Sequence, residues 1–371
     1  MPTLPSRADH VGSLLRPVSI QEARKQFYGD KSITAAQLQA TEDEGIEGLV
    51  ELQESLGLKV VTDGEARRHF WHYDFLERLD GIEFVTRDAD QGVNFHGVKL
   101  PPRFPTITGP LDFPDDHPHL SHFKFLAAHT KVTPKISIPG PSVAHYRTAK
   151  SDIRFAPYED IEALFAALAR TYAKAVRKFY EAGCRYLQMD DIYFAYLGDE
   201  KQRAMKHEEG FDPDWLIEKY AWMMHEAIKD RPADMLIGMH MCRGNFRSTW
   251  AASGGYDAAA DAIFNHTGVD LFFMEYDTER AGGLQPLRLL AKGKQRIYPG
   301  FITTKSGELE SMDSLRRQFD AASKYVDLDQ LGIAPQCGFA STEEGNAITE
   351  DGQKRKLELV VKTAEAIWGE A

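Results

Sequence analysis

Eight short apolar runs alternate with charged, amphipathic segments along nearly the whole chain. The runs have the length of buried strands, and several intervening segments carry apolar residues at helical spacing. Strands that alternate with helices pair in parallel. Eight such units predict an α/β fold, a single (β/α)8 TIM barrel in one domain over residues 1–371. The predicted strands begin at Asp9, Leu58, Lys135, Tyr186, Leu236, Leu271, Arg296 and Gln330.

One interval, residues 82–130, breaks this alternation. It is long, poor in helical periodicity and rich in proline, which removes a backbone donor and interrupts regular elements. We expect a Pro-rich excursion after the second strand, a hairpin over or beside the barrel mouth that serves as a lid or an oligomer contact. Its prolines are Pro101, Pro102, Pro105, Pro110, Pro114 and Pro118.

Eight polar side chains fall at or just after the carboxyl ends of the predicted strands. Barrel enzymes assemble their sites at that face, so we expect these side chains to form one site. The set is Ser13, Glu65, Asp190, His240, Cys242, Glu275, Lys305 and Cys337.

Four members of this set predict a zinc site. His240 and Cys242 end the fifth strand and point the same way, because side chains alternate along a strand. That pair alone is weak evidence, and Cys184 at a predicted helix end is expected to be a core residue. Glu275 and Cys337 complete an N, S, O, S set suited to tetrahedral Zn²⁺. A structural zinc site often contains a close C-x-x-C pair, which the sequence lacks.

A thiol bound to Zn²⁺ loses its proton and remains a nucleophile at neutral pH, so the predicted site favours thiolate activation for alkyl transfer. The remaining members have plainer alternatives. Asp190 either caps a helix or binds a substrate ammonium together with Glu65. Ser13 is either a turn residue or a hydroxyl for a substrate carboxylate. Lys305 is either a surface lysine or a cation near the reacting group.

Two other clusters are interpreted as non-functional. The aromatic segment Phe70–Phe75 is expected to be core and loop packing rather than a stacking platform. His117, His119 and His122 fall in the Pro-rich excursion and are expected to be surface histidines of a solvated loop.

Composition limits the partners. The formal net charge of -12 argues against nucleic acid and anionic membranes. No apolar run approaches the length of a transmembrane helix, and the N-terminus lacks a signal peptide pattern. Three cysteines suit a reducing cytoplasm, where cysteines are more often ligands or core residues than disulfides. We therefore expect a cytoplasmic protein with small-molecule partners. The sequence leaves open whether it forms a homodimer.

The strand-end motifs resemble those of cobalamin-independent methionine synthase over nearly the whole chain. HMC ending at Cys242 is similar to that family's zinc His and first Cys. P-x-C-G around Cys337 is similar to its last Cys, and Glu275 in FMEYD falls where the zinc Glu is expected. The resemblance therefore implies the same four zinc ligands.

The substrate motifs are similar as well. HVGS, ending at Ser13, resembles an I-G-S loop whose Ser contacts the homocysteine carboxylate. DGEA and LQMDD resemble H-G-E-A and I-Q-I-D-E, which implies that Glu65 and Asp190 hold the homocysteine amino group. The segments TDGEARRHFWHYDF, CRGNFRSTWA and PQCGFASTEEGN resemble the short, single-barrel relatives called methionine synthase II-like.

The motifs expected in the part of the site that binds the methyl donor differ from those of the family. The family's catalytic His in D-I-H-S falls at Lys305 in TTKS. A Trp that follows the family's G-P-V-T-I segment and packs on the pterin is replaced near Tyr146 and Arg147. The chain has no room for the second, N-terminal barrel of the full-length enzyme.

The leading hypothesis is a zinc-dependent S-methyltransferase acting on homocysteine or a close analogue. Lys305 or a water would protonate the departing group, and the donor would be methyltetrahydrofolate, methylcobalamin or a sulfonium. The rivals are alkyl transfer to another thiol, as in epoxyalkane:coenzyme M transferases, and a zinc or amino-acid binding protein without turnover. Metal-free decarboxylation on a related barrel is the remaining alternative, and it would not require the four ligands.

Overall fold

A computed structural model describes residues 6–88, 94–95, 98–99, 103–293 and 295–371. The predicted Pro-rich excursion is therefore described in part, and its Pro101 and Pro102 lie outside the described residues.

The described chain contains eleven strands and eleven α-helices. The strands are β1 (Val60–Val61), β2 (Asp80–Thr86), β3 (Asn94–Phe95), β4 (Val98–Lys99), β5 (Arg103–Asp112), β6 (Thr133–Pro134), β7 (Ile136–Pro139), β8 (Tyr186–Asp190), β9 (Leu236–Met241), β10 (Leu271–Glu275) and β11 (Arg296–Gly300). The helices are α1 (Val18–Arg24), α2 (Ala35–Ser55), α3 (Tyr73–Leu76), α4 (Pro118–His129), α5 (Pro141–Tyr146), α6 (Ile161–Glu181), α7 (Tyr193–Tyr196), α8 (Glu200–Glu208), α9 (Pro213–Ile228), α10 (Met312–Ala322) and α11 (Glu350–Trp368). Short π-helical turns (Lys25–Asp30, Ala262–His266) and five 3-10 turns connect them.

A parallel five-stranded sheet in the order β11-β10-β9-β8-β7 forms the centre of the fold. β1 and β6 make a separate short parallel pair. The first and last predicted strands join the fold by isolated bridges, with Ala8 paired to Ile333 and Ile297 to Leu331. The α/β class and the order of the central strands are confirmed, whereas closure into an eight-stranded barrel stays a prediction.

The long helices form where the sequence places an apolar stripe between clear end signals. α6 begins after Asp160, whose side chain accepts the N–H of Glu162, and it buries residues such as Leu164 and Leu168. α2 begins with a reciprocal capping box between Thr34 and Gln37. The central strands are buried at every position, as expected for a parallel sheet covered on both faces.

Buried charge ties the N-terminal run to the sheet. The Lys135 ammonium lies 2.8 Å from the Asp9 carboxylate, and both side chains are fully buried. The Tyr186 hydroxyl donates to the other oxygen of Asp9 at 2.8 Å. Because removing one partner would leave an uncompensated buried charge, this network fixes the first run against β7 and β8.

The excursion contains more regular structure than predicted. β2 and β5 pair antiparallel, β3 and β4 form a second small antiparallel pair, and α4 follows. α4 forms although this interval is poor in helical periodicity, because Pro118 suits the first helical position and the His117 ring accepts the N–H of His119. Among the residues that the structure describes, no helix is long and apolar enough to cross a membrane.

Candidate metal centre

His240, Cys242 and Cys337 meet at the carboxyl end of the central sheet. His240 lies near the end of β9, Cys242 directly follows that strand, and Cys337 lies in the loop after the last predicted strand. One ligand atom from each lies within 4.8 Å of the other two, and all three residues are buried. The structure therefore brings together three of the four predicted ligands.

The geometry of these three side chains fits a metal. The two sulfur atoms are 3.8 Å apart, far beyond a disulfide bond of about 2.05 Å. Two thiolates on a tetrahedral Zn²⁺, each about 2.3 Å from the ion, would lie about 3.8 Å apart. His240 is held from both ring nitrogens, because Nδ1 lies 3.4 Å from Asp190 Oδ1 and Nε2 lies 3.4 Å from Gln336 O.

Electrostatics shift the pKa values of the two cysteine thiols in opposite directions. The hydrogen bond between the two sulfur atoms and the nearby His240 ring hold the pKa of the Cys337 thiol well below its usual range despite burial. Burial lowers the pKa of His240, but Asp190 and Cys337 outweigh burial and raise it to about 10. The contact with Cys337 and burial raise the pKa of the Cys242 thiol, so a bound metal would take the place of protons at this site.

Glu275 does not join this group of three. Its fully buried carboxylate accepts the backbone N–H of Arg243 at 2.6 Å and a hydrogen bond from the Arg280 guanidinium. Burial would raise the pKa of this carboxyl, but the Lys305 ammonium, Arg243 and Arg280 lower it to about 2. Its role as the fourth ligand stays a prediction.

Lys305 belongs to the Glu275 side of the site. Its ammonium lies 3.6 Å from oxygens of both Glu275 and Asp277, and its side chain is only 10% exposed. It is therefore not a surface lysine. It does not line the pocket described next, so the structure does not bring it to the same wall as Ser13, Glu65 and Asp190.

A pocket with about 560 Å³ of space, part of it open to solvent, lies against the metal-ligand side chains. Ser13, Glu65, Asp190, His240, Cys242 and Cys337 all contribute to its walls. Six of the eight residues predicted from the sequence are thus collected in one place. Residues more than 300 positions apart in the sequence come together here because the strand ends lie at one edge of the sheet.

Two carboxylates of this pocket differ in their surroundings. Glu65 accepts from the Ser137 hydroxyl at 2.8 Å and lies 3.4 Å from Arg68. Burial raises the pKa of Glu65 to about 7. The nearby Arg68 opposes this rise, whereas the Asp190 carboxylate adds to it. Asp190 accepts from the Gln188 amide at 2.8 Å, and its Oδ1 lies 3.4 Å from His240 Nδ1. No helix N–H bonds to Asp190 in the described chain, which counts against the capping alternative.

Ser13 lies where two chain segments approach closely. Its hydroxyl accepts the N–H of Ala340 at 3.4 Å. A Cβ added to Gly338 would lie 1.9 Å from the Ser13 oxygen, so any larger residue there would displace the Ser13 hydroxyl. Ser13 is therefore held beside the loop that carries Cys337.

Several pocket residues were missed or misjudged from the sequence. Phe70, Trp71 and His72 line the pocket rather than serving only as packing, and Arg147, Tyr196 and Phe246 also line it. For Arg147, the sequence offered one signal, the replacement of the family's Trp near Tyr146 and Arg147. The expectation of surface histidines is wrong for His117 and His119, which are both 1% exposed. His117 packs on Phe113, with ring centroids 4.8 Å apart. Cys184 is a buried core residue, as predicted.

The comparisons with known proteins decide the family. The sequence model of the family described as cobalamin-independent synthase, catalytic domain, matches residues 7–365. The chain belongs to this family. YxjH of Bacillus subtilis (strain 168), a protein described as uncharacterized, is 46% identical over 98% of this chain and 95% of its own length.

Two solved structures are similar over nearly the full length. A candidate vitamin-B12-independent methionine synthase from Listeria monocytogenes is 39% identical, covers 100% of both chains and has a TM-score of 0.78. A B12-independent methionine synthase from Shewanella sp. W3-18-1, in complex with selenomethionine, is 19% identical, covers 98% of both chains and has a TM-score of 0.72. The second likeness shows the shared fold alone.

Proposed function

We propose that this chain is a zinc-dependent S-methyltransferase that methylates the thiol of homocysteine or a close analogue. One observation carries the proposal: a buried His, Cys, Cys group opens onto a pocket that also holds Ser13, Glu65 and Asp190. Membership of the cobalamin-independent synthase family supports homocysteine methylation as the reaction class. The donor is methyltetrahydrofolate or another methyl donor such as methylcobalamin.

His240, Cys242 and Cys337 would hold Zn²⁺, with Glu275 as the proposed fourth ligand. When bound, the ion would lower the pKa of a substrate thiol so that it reacts as a thiolate. Arg243, Arg280 and Lys305 keep the Glu275 carboxylate ionised, which is the form that a metal ligand needs.

The pocket carboxylates orient the amino acid. Glu65 and Asp190 would accept hydrogen bonds from the substrate ammonium, while the Ser13 hydroxyl would donate to its carboxylate. Because Asp190 also faces His240, the ammonium subsite lies directly beside the predicted metal ligands. This arrangement fixes the thiol of a four-carbon amino acid near the two cysteines.

The methyl transfer forms one bond and breaks one bond. The thiol sulfur forms a bond to the methyl carbon while the bond between that carbon and the donor atom breaks. With a folate donor, the leaving nitrogen takes a proton, which Lys305 or a water would deliver, and this balances the proton lost by the thiol. With methylcobalamin, the cobalt keeps the electron pair of the broken bond and the thiol proton passes to solvent. Lys305 lies on the Glu275 side of the site, 10% exposed.

The proposal extends to the architecture. We infer one catalytic domain in which the sheet closes as a (β/α)8 barrel, with part of the excursion over its mouth. Support comes from the bridge between Ala8 and Ile333 and from the N–H of Leu14 donating to Gly64 O at 3.0 Å. A cytoplasmic location follows from the need for two reduced cysteine ligands.

The function is tested by supplying homocysteine and a deuterated methyl donor to the zinc-loaded protein and measuring labelled methionine by mass spectrometry. Methyltetrahydrofolate and methylcobalamin are tried separately. Labelled methionine from the wild type and none from Cys337→Ser is the expected result. Tight homocysteine binding without product from either donor would instead indicate a binding protein.

A further inference from the structure

Arg147 is the one pocket residue whose charge finds no opposite charge in the described part of the chain. Its Nε–H donates to the Tyr193 hydroxyl at 2.5 Å. No described carboxylate lies within ion-pair distance of its guanidinium, whereas Glu65 faces Arg68 and Asp190 faces His240. A half-buried guanidinium normally pairs with an acid, so this wall of the pocket presents an unused positive charge.

Arg147 also occupies a junction between two cavities. It lines the pocket beside the metal ligands, and with Tyr196 it lines a second cavity with about 700 Å³ of space, which we call the outer groove. The outer groove continues along Phe104, Tyr146 and Met205. Arg147 and Tyr196 therefore belong to the walls of both cavities, and the guanidinium lies at the side of the pocket that is nearest the outer groove.

The neighbouring aromatic ring does not offer a free face. The Tyr146 ring stacks on Tyr193 with centroids 3.8 Å apart at 12°, and the Lys206 ammonium lies 3.9 Å from the centre of the Tyr146 ring. Both faces of Tyr146 are thus used. Recognition at this wall depends on charge rather than on stacking against Tyr146.

We propose, on the basis of the proposed function, that Arg147 binds an anionic group of the methyl donor, a carboxylate, sulfonate or phosphate. The groups that recognise an amino-acid thiol are already supplied by Ser13, Glu65 and Asp190, so the free guanidinium serves the second substrate. A planar guanidinium forms paired hydrogen bonds with such anions. Arg147 is then a specificity-determining residue for the donor.

The test uses benzoate as the probe and benzamide as its neutral equivalent of the same shape. Isothermal titration of the zinc-loaded protein measures both, with and without saturating homocysteine. We expect Arg147→Gln to weaken benzoate binding about tenfold or more while leaving benzamide unchanged. Arg147→Lys should retain part of the affinity. The control is Arg154→Gln, because Arg154 is 56% exposed and pairs with Asp152 outside both cavities.

The outcomes separate the alternatives. Benzoate binding that depends on Arg147 and is unaffected by homocysteine supports a donor subsite. Competition between benzoate and homocysteine would overturn the donor assignment and give the anion to the acceptor thiol. Equal benzoate affinity in the wild type and Arg147→Gln would overturn the subsite itself. Homocysteine titration of the same samples tests the proposed function separately: its failure, with Arg147-dependent benzoate binding intact, would remove the function and keep the anion subsite.

Discussion

At the scale of single residues, the proposed metal ligands are distinct from the proposed substrate-binding residues. His240, Cys242 and Cys337 converge within 4.8 Å, while Glu65 and Asp190 stand on the same pocket without belonging to that group. Substitutions in the two sets should therefore have different consequences. Cys184 provides an internal control, because it is equally buried and lies outside the site.

Cys337→Ser should abolish stoichiometric zinc binding and methyl transfer. Serine is a poor zinc ligand beside a thiolate, and three ligands would remain at most. Because Cys337 lies in a loop at the strand ends, we expect the variant to stay folded. Metal analysis and thermal unfolding check this, with Cys184→Ser as the matched cysteine control that keeps zinc. Global unfolding of Cys337→Ser alone would show that the metal serves the fold.

Asp190→Asn should weaken homocysteine binding by roughly tenfold to a hundredfold, because a charge-assisted hydrogen bond to the ammonium is lost. Zinc content should change far less. Titration of zinc-loaded variant and wild type with homocysteine, and with 4-mercaptobutyrate as the same thiol without its ammonium, separates the effects. Equal weakening for both thiols would remove Asp190 from the ammonium subsite.

At the scale of elements, the loop after β9 depends on a glycine. Gly244 has φ +89, and a Cβ there would lie 2.6 Å from the Phe95 ring and 2.7 Å from the Tyr196 hydroxyl. Both neighbours line the pocket, and Phe95 comes from the small β3–β4 pair of the excursion. The loop that carries the proposed metal ligand Cys242 therefore sets how closely the excursion approaches the site.

Gly244→Ala should raise the apparent dissociation constant for homocysteine and lower stability by more than the ordinary cost of a left-handed residue, about 1–2 kcal/mol. The matched control is Gly210→Ala, since Gly210 has the same φ of +89 with no atom within 4 Å of an added Cβ. Urea unfolding and thiol titration of both variants check this. Equal effects at the two positions would mean that contact with Phe95 and Tyr196 is unimportant.

Sequence patterns predicted the elements well where local signals agree with burial. The runs at Tyr186, Leu236 and Leu271 became β8, β9 and β10, and six of the predicted site residues line one pocket because strand ends share one edge. Sequence patterns did not predict burial correctly where it depends on contacts between residues that are distant in the sequence. His117 is buried because its ring packs on Phe113 and its Nε2 lies 3.1 Å from Phe75 O, contacts that no local spacing reveals. The free guanidinium of Arg147 likewise depends on which side chains surround it.

At the scale of the whole molecule, two buried acids make stability depend on pH. Burial raises the pKa of Glu65 to about 7, and burial also raises that of Asp191 to about 7 although the Ser142 hydroxyl donates to it. Both values exceed those of the unfolded chain, so the native state binds protons more tightly. Their contribution to the free energy of unfolding is complete below about pH 4 and is lost as pH rises through 7.

Glu65→Gln should remove its share of this pH dependence. Relative to the wild type, the variant should gain up to about 3 kcal/mol in the free energy of unfolding between pH 4.5 and 8, since one pKa unit corresponds to about 1.36 kcal/mol. Urea unfolding of chelator-treated proteins at several pH values measures the difference, and Glu83→Gln, outside the pocket, is the control. A parallel pH profile for Glu65→Gln and wild type would contradict the raised pKa.

Thiol activation by zinc is tested most directly by zinc K-edge absorption of the purified protein, together with its metal content, before and after homocysteine is added. We expect about one zinc per chain and one additional sulfur in its coordination after homocysteine binds. A site without zinc, or a zinc whose surroundings do not change with the thiol, would contradict thiol activation at His240, Cys242 and Cys337.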